Sequence, residues 1–384
     1  MALWAFIPIG IYLLAKLVES LVHHRLLKRV PLRIHVNGTR GKSQTTELIT
    51  YGLQAAGIEA MGKVTGSVPT LLHTDGRRTE IKRIAPTSIR EQQWVIRQAV
   101  QEKAQVLVLE CMAIKPELQR ASERRMLHSQ IGIITNVRPD HTDLLGKSGE
   151  AIAHALTCTI PYHGTLFTAE ETHRTILAQA AEKRETKLVC VSTEEQIGPA
   201  LEQQIPAWIH AENLALALAI CEHVGAPRDA ALRGMLSITE DSGSFRIIHL
   251  AANRKPVYFV NAFSGNDPIS TKIMLEKTLS SLEGASPLVG LFNHRKDRFF
   301  RAQTFAEFAR KAMFNRLFLI GDRLSDSQRL FPGATDLSEI HRAAPLWERI
   351  QREIEGGSII FGFGNIAGIA LRLNEHLQRI SEEV

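Results

Sequence analysis

The sequence predicts an α/β fold: a P-loop ATPase-like central domain on a mostly parallel sheet, then a smaller Rossmann-like α/β C-terminal domain. Three observations predict it. Short apolar runs at Leu32–Val36, Gln105–Glu110, Gln130–Asn136 and Lys187–Ser192 alternate with helical patterns, the signature of parallel strands covered on both faces. The first run feeds the glycine turn Asn37-Gly38-Thr39-Arg40-Gly41-Lys42-Ser43, which opens a helix. The strand–helix theme then restarts on a smaller scale beyond the turn-rich stretch Ile238–Ser244. With 384 residues, 44% of them hydrophobic, the chain can build two cores rather than one, and the segments are read as 1–30, 31–245 and 246–384.

The first segment is uncharged and mostly apolar from Ala2 to Ala15, and Leu17, Val18, Leu21 and Val22 extend it past Lys16 and Glu19. Nothing basic precedes it, which argues against a signal peptide, and His23, His24, Arg25, Lys28, Arg29 and Arg33 follow it. The expectation is a membrane-associated helix at the cell membrane, with the rest of the chain on the cytoplasmic side. The uncharged run is short of the roughly 20 residues a span needs, so a core or partner-binding helix is the alternative.

In the second segment, strand Leu32–Val36 leads through the glycine turn into a helix over Lys42–Ala56. Such a turn lets backbone N–H groups approach phosphate, and the helix N-terminus adds donors and a favourable dipole. Lys42 is placed to reach terminal phosphates and Ser43 to face Mg²⁺. The first glycine of the usual pattern falls at Val36, so an ordinary strand–turn–helix is the competing reading. Gly57 and Gly62 are read as bracketing a loop, and Gly66–Thr87 as a loop at the site mouth. Helices are expected at Ser88–Glu102, Ser148–Cys158, Ala211–His223 and Pro227–Met235. Val106–Glu110 ends in a carboxylate at a strand end, where α/β sheets gather their ligands; Glu110 suits Mg²⁺, or is a surface glutamate. Ile131–Ile134 runs into Thr135-Asn136-Val137-Arg138-Pro139-Asp140-His141-Thr142-Asp143. There His141 is a candidate metal ligand that Asp140 or Asp143 orients, with a helix-capping loop as the alternative.

In the third segment strands are expected at Pro256–Val260, Pro287–Phe292, Arg316–Ile320 and Ser358–Phe361. The loop after the second carries Arg295 and Arg298, whose planar forks suit carboxylates, unless the loop is simply solvated. The Gly362–Gly368 stretch reads as a dinucleotide fingerprint, but too little chain follows for a full Rossmann half.

Composition narrows the function classes. The net charge of +6 favours polyanions, but no run of five basic residues offers a nucleic-acid arm. The four cysteines form no CxxC pair, which argues against a zinc knuckle or a disulfide framework.

Asn37–Ser43 resembles the ATP loop of the Mur ligase family, and Asn136, Asp140, His141 and Asp143 match its N-x-x-x-D-H-x-D stretch. Glu110 matches the family's strand-end glutamate, a Mg²⁺ ligand, and His210-Ala211-Glu212-Asn213 its adenine-facing helix start. The GTRGKS form, the apolar N-terminal segment and the modest length resemble the branch of poly-γ-glutamate synthase ligase subunits, which make capsule or secreted polyglutamate. The resemblance implies an ATP-binding domain over 31–245 and a ligase domain over 246–384. It implies ATP held by Asn37, Gly38, Thr39, Arg40, Gly41, Lys42, Ser43, Gln44, Asn136 and Asn213. Mg²⁺ would be held by Ser43, Glu110 and His141, with Lys42, His141 and Arg295 in the chemistry. The implied reaction extends poly-γ-glutamate through an acyl phosphate, in a complex with small integral-membrane subunits. The alternatives are another Mur-type ligase, for folate or cell-wall precursors, or a non-ligase ATPase module of a membrane transport complex. Two departures stand out. Asn261 and Asn266 replace an aspartate and a histidine of the family's D-D-Y-A-H-x-P loop, and Asp267 and Pro268 fall near its end. The carbamylated lysine expected about fifteen residues past Asp140 is missing: that count reaches Ala155, and Lys147 is the nearest lysine.

Overall fold

The structure, a computed structural model, describes residues 2–382 apart from 67–68, 83–87, 141, 207, 239–244, 253–254, 266, 283, 297–298 and 324–326. The chain forms two compact units, Met1–Ile238 and Thr239–Val384.

Among the described residues the first unit has eight strands: β1 Leu32–Asn37, β2 Ala60–Val64, β3 Thr70–Leu72, β4 Arg78–Glu80, β5 Val106–Glu110, β6 Ile131–Ile134, β7 Thr165–Thr168 and β8 Lys187–Cys190. Their order is β4-β3-β2-β5-β1-β6-β7-β8, parallel except that β3 runs against β2 and β4. Three of the four runs read as buried parallel strands, β1, β5 and β6, take the centre, where both faces are covered; the fourth, β8, is corrected to a partly exposed edge strand. Val36 on β1 lies opposite Glu110 on β5 and Ile133 on β6, so the carboxyl ends of these three strands share one edge. Helix α2, Lys42–Ala55, packs with helices Ala211–Val224 and Arg228–Leu236 over one face, around Ile34, Leu48, Val108 and Leu218. Helix α3, Glu91–Gln101, closes the other face on Met61, Leu107 and Leu109.

Two loop readings are corrected. Gly62 lies inside β2, and 66–87 contains β3 and β4. A Cβ on Gly62 would stand 2.4 Å from Thr50 Oγ1 and 2.9 Å from Leu72 Cδ1, so this glycine serves close packing rather than a turn. Gly57, with φ 78°, does mark the turn after α2.

Helix α1, Ala2–Leu27, is tied down at its carboxyl end. His23 Nε2 meets the Met126 carbonyl at 2.7 Å. The buried Arg33 donates to the carbonyls of Leu27 at 2.9 Å, Val30 at 2.6 Å, Leu127 at 2.9 Å and His128 at 3.0 Å. Further out, Ile11, Tyr12, Leu13, Leu14, Leu17 and Val18 are exposed. The expected membrane location is corrected: among the described residues no helix is long and apolar enough to cross a membrane. Fourteen uncharged residues of helix reach only about 21 Å against a hydrocarbon core of about 30 Å. Beyond them come the Lys16–Glu19 ion pair and the docked turns.

Among the described residues the second unit has six strands: β9 Arg246–Ala252, β10 Lys255–Asn261, β11 Leu288–His294, β12 Arg316–Gly321, β13 Thr335–Asp336 and β14 Ile359–Phe363. The order is β13-β12-β11-β14-β10-β9, parallel except for the β9–β10 pair. Phe292, Phe305, Phe361 and Phe363 fill one side of this sheet, where helices Pro268–Ser281 and Phe299–Ala312 pack together. Leu346, Trp347, Leu373 and Leu377 of helices Ala343–Gln351 and Ile369–Glu382 fill the other.

Candidate functional site

The loop from β1 to α2 is shaped by two glycines. Gly38 has φ 131° and Gly41 φ 80°, both in the left-handed range that glycine tolerates. A Cβ on Gly38 would fall 2.0 Å from Thr135 Oγ1, so the loop beyond β6 presses directly on it. Lys42 opens α2, and its ammonium curls back to donate to the Gly38 carbonyl at 2.8 Å. The lysine thus folds back over its own turn.

Ser43 Oγ donates to Glu110 Oε2 at 2.9 Å, and the Thr65 amide donates to the same oxygen. Glu110 is buried, so a first-turn hydroxyl and a strand-end carboxylate are brought together in a sheltered place. Oxygen donors of this kind suit a hard divalent cation. His141 lies outside the described residues. Among the described residues no group of three or more His, Cys, Asp or Glu is placed to hold a metal.

The loop after β6 braces the glycine turn. Asn136 accepts at Oδ1 from Thr39 Oγ1 at 2.8 Å and from the Arg40 amide at 3.1 Å. Thr135 Oγ1 donates to the Arg40 carbonyl at 2.6 Å, and the Arg138 amide to Thr39 Oγ1 at 2.8 Å. The Arg40 guanidinium pairs with Asp140 at 2.9 Å, largely shielded from solvent. Asn37 turns into the protein, where its Nδ2 donates to Gln119 Oε1 and Thr159 Oγ1, each at 2.9 Å. Gln44 bonds to Trp208, His210 and Asn213. The structure therefore brings Ser43, the neighbour of Lys42 in sequence, together with Glu110, while Asn136 braces the loop and Asn37 and Gln44 bond to other segments.

Below the site, His35 on β1 is fully buried and its Nδ1 lies 2.8 Å from Glu123 Oε2. Burial alone would push this imidazole down. Hydrogen bonds and charge from Cys111 and Glu123 overcome that and carry its pKa up to about 10. Sequence reasoning missed this pair, and also Lys63, which is wholly buried and forms an ion pair with Glu91 at 2.6 Å. A lysine in the middle of Ala60–Val64 is a signal that was there to find. Lys147, by contrast, is exposed.

In the second unit Arg295 follows β11 and is half-buried. Next to it, the Lys296 amide donates to Asp322 at 2.9 Å. Arg298 and Asn266 lie outside the described residues. Asn261 is buried at the end of β10, and Asp267 caps helix Pro268–Ser281 by accepting from the Ser270 amide at 2.9 Å. Asn293, also missed, holds the Gly364–Gly368 loop by donating to the carbonyls of Asn365 and Ala367.

Two family models match the chain: the Mur ligase middle domain over residues 36–220 and the poly-gamma-glutamate synthase CapB C-terminal domain over residues 247–380. This chain belongs to the Mur ligase superfamily. The Mur ligase match takes in the glycine turn, Glu110, the loop after β6 and the helix start at Asn213. Capsule biosynthesis protein CapB of Bacillus anthracis is 35% identical over 291 residues, 75% of this chain and 62% of that protein. The chain thus spans less than two thirds of that relative. PGA synthase CapB of Bacillus subtilis (strain 168) is 29% identical over 380 residues, covering 97% of this chain and 96% of that one. Among solved structures, the bifunctional folylpolyglutamate synthase/dihydrofolate synthase of Yersinia pestis, complexed with AMPPNP and Mn ion, superposes with a TM-score of 0.70. It is 18% identical and covers 94% of this chain and 91% of its own, a likeness of fold.

Proposed function

We propose that this Mur ligase is an ATP-dependent acid–amino-acid ligase that extends poly-γ-glutamate. The observation that carries the polymer is the match of residues 247–380 to the CapB C-terminal domain, in one chain with the Mur ligase middle domain. A carboxylate is a poor electrophile until one of its oxygens becomes a leaving group. In the proposed reaction a γ-carboxylate oxygen of the growing chain attacks the γ-phosphorus of ATP and ADP departs. The amine of glutamate then attacks the acyl carbon, phosphate leaves, and the nitrogen gives up a proton.

Phosphoryl transfer of this kind is mainly positioning and charge stabilisation. Lys42, at the mouth of the glycine turn, supplies a cation to the terminal phosphates. Ser43 and Glu110, with His141 from the loop after β6, are the proposed Mg²⁺ ligands, and the ion would neutralise phosphate charge there. Arg295 is the proposed grip on an acidic substrate. The synthase partner subunits belong to the same proposal, which the exposed apolar side chains of α1 support.

The test is product analysis with the purified chain, ATP, Mg²⁺ and labelled glutamate, offered a γ-glutamyl oligomer, a folate or a muramyl peptide as acceptor. Labelled amide on the γ-glutamyl oligomer, with one ADP formed per bond, is the expected result. Preference for the folate or muramyl acceptor would replace the polymer reading. Phosphate release without any amide would replace the ligase reading.

A further inference from the structure

The Asn213 amide lies against the phosphate loop itself. An ideal Cβ on Gly41 would stand 2.4 Å from Asn213 Oδ1 and 2.7 Å from its Nδ2, so this amide fills the space of the glycine's missing side chain. Asn213 is buried.

Its orientation is fixed step by step from the backbone. The Trp208 carbonyl needs a donor and receives Gln44 Nε2 at 2.7 Å. The His210 amide needs an acceptor and finds Gln44 Oε1 at 3.0 Å. These two main-chain groups leave Gln44 one way to face. Its Oε1 then accepts from Asn213 Nδ2 at 2.8 Å, which turns Asn213 Oδ1 toward Gly41. Gln44 sits in the first turn of α2, so the relay leaves that helix, crosses to Trp208 and His210, and returns through Asn213, in the first turn of helix Ala211–Val224, to the loop that precedes α2.

We propose that Gln44 and Asn213 are positioning residues that hold the left-handed turn at Gly41, acting on the polyphosphate end of the nucleotide rather than on its base. The inference rests on the reading above that a nucleotide triphosphate binds this loop. Because the pair acts through the loop, its loss weakens every ligand that the loop cradles, whatever base that ligand carries.

The experiment is calorimetric binding of ATP, GTP and inorganic tripolyphosphate, each with Mg²⁺, to the full chain and to Gln44→Ala, Asn213→Ala and the double variant. Each single change is expected to weaken all three ligands by the same factor, on the order of tenfold, as for the loss of one hydrogen bond. The ATP-to-GTP ratio stays unchanged, and the double variant is no weaker than the weaker single one. Gln44→Glu retains both acceptor contacts but loses the donation to Trp208, and is expected to recover part of the affinity. A loss confined to ATP, with tripolyphosphate unchanged, would overturn the inference in favour of base contact. So would a lower melting temperature with unchanged affinity in the folded protein. If the unaltered chain bound neither ATP nor tripolyphosphate, the nucleotide reading itself would fail and this one with it.

Discussion

Ser43 Oγ donates to Glu110 Oε2 across 2.9 Å, joining the first turn of α2 to the end of β5 across 67 positions of sequence. Strand register makes the meeting inevitable: β1 and β5 are parallel neighbours, and Val36 lies opposite Glu110. A hydroxyl that follows the glycine turn must therefore arrive beside the carboxylate.

Glu110→Gln should raise the Mg²⁺ concentration needed for half-maximal turnover, because a hard cation depends on carboxylate charge and the amide keeps only the volume. Turnover measured against Mg²⁺ at saturating ATP checks this. A midpoint equal to that of the unaltered chain would remove Glu110 from the proposed ligands.

Lys42→Ala should lower turnover on the order of 10²–10³-fold, the usual cost of losing one group that stabilises developing charge. Its ammonium donates to the carbonyls of Gly38 and Thr39 in its own loop, so the melting temperature should scarcely move. Full activity in a well-folded variant would place the phosphates elsewhere.

Arg295→Lys should raise the KM for the acidic acceptor several-fold while the KM for ATP holds. Lysine keeps the charge and loses the planar fork that binds a carboxylate in two places. Steady-state kinetics with each substrate varied in turn separates the two effects, and equal shifts in both would mark a fold defect.

The His35–Glu123 pair should make stability depend on pH in the alkaline range. The folded pKa of His35, about 10, stands above the unfolded value of about 6.5. The stabilisation is then complete below about pH 6.5 and lost as pH rises toward 10. Melting temperature should fall across that window, and His35→Gln should flatten the fall. Parallel curves for the two proteins would assign the decline to other groups.

Much of this site was legible in the sequence because its cues are local. A glycine turn between an apolar run and a helix pattern, and a carboxylate at a strand end, each fit in a window of a few residues. What Asn136, Gln44 and Asn37 do was not legible, because their partners lie 82 to 169 positions away and only the fold brings them close. Gly62 misled for a related reason. In one dimension a glycine cannot show whether it turns the chain or makes room for Thr50 and Leu72. Strands β3 and β4 went unread because three residues are too few to establish an alternation. The N-terminal run is apolar, but Lys16 and Glu19 interrupt it after fourteen uncharged residues, short of a span.

The eight-stranded sheet closes on β4 at one side and β8 at the other. Both rims are brief: β4 has three residues, all exposed, with Arg78 and Glu80 at its ends, and β8 has four and starts with the exposed Lys187. A strand from another molecule adding to either rim would gain few ladder bonds and would set its own backbone against ionic side chains. The rims thus guard against runaway sheet growth, so the concentrated protein should resist forming cross-β aggregates from its native state.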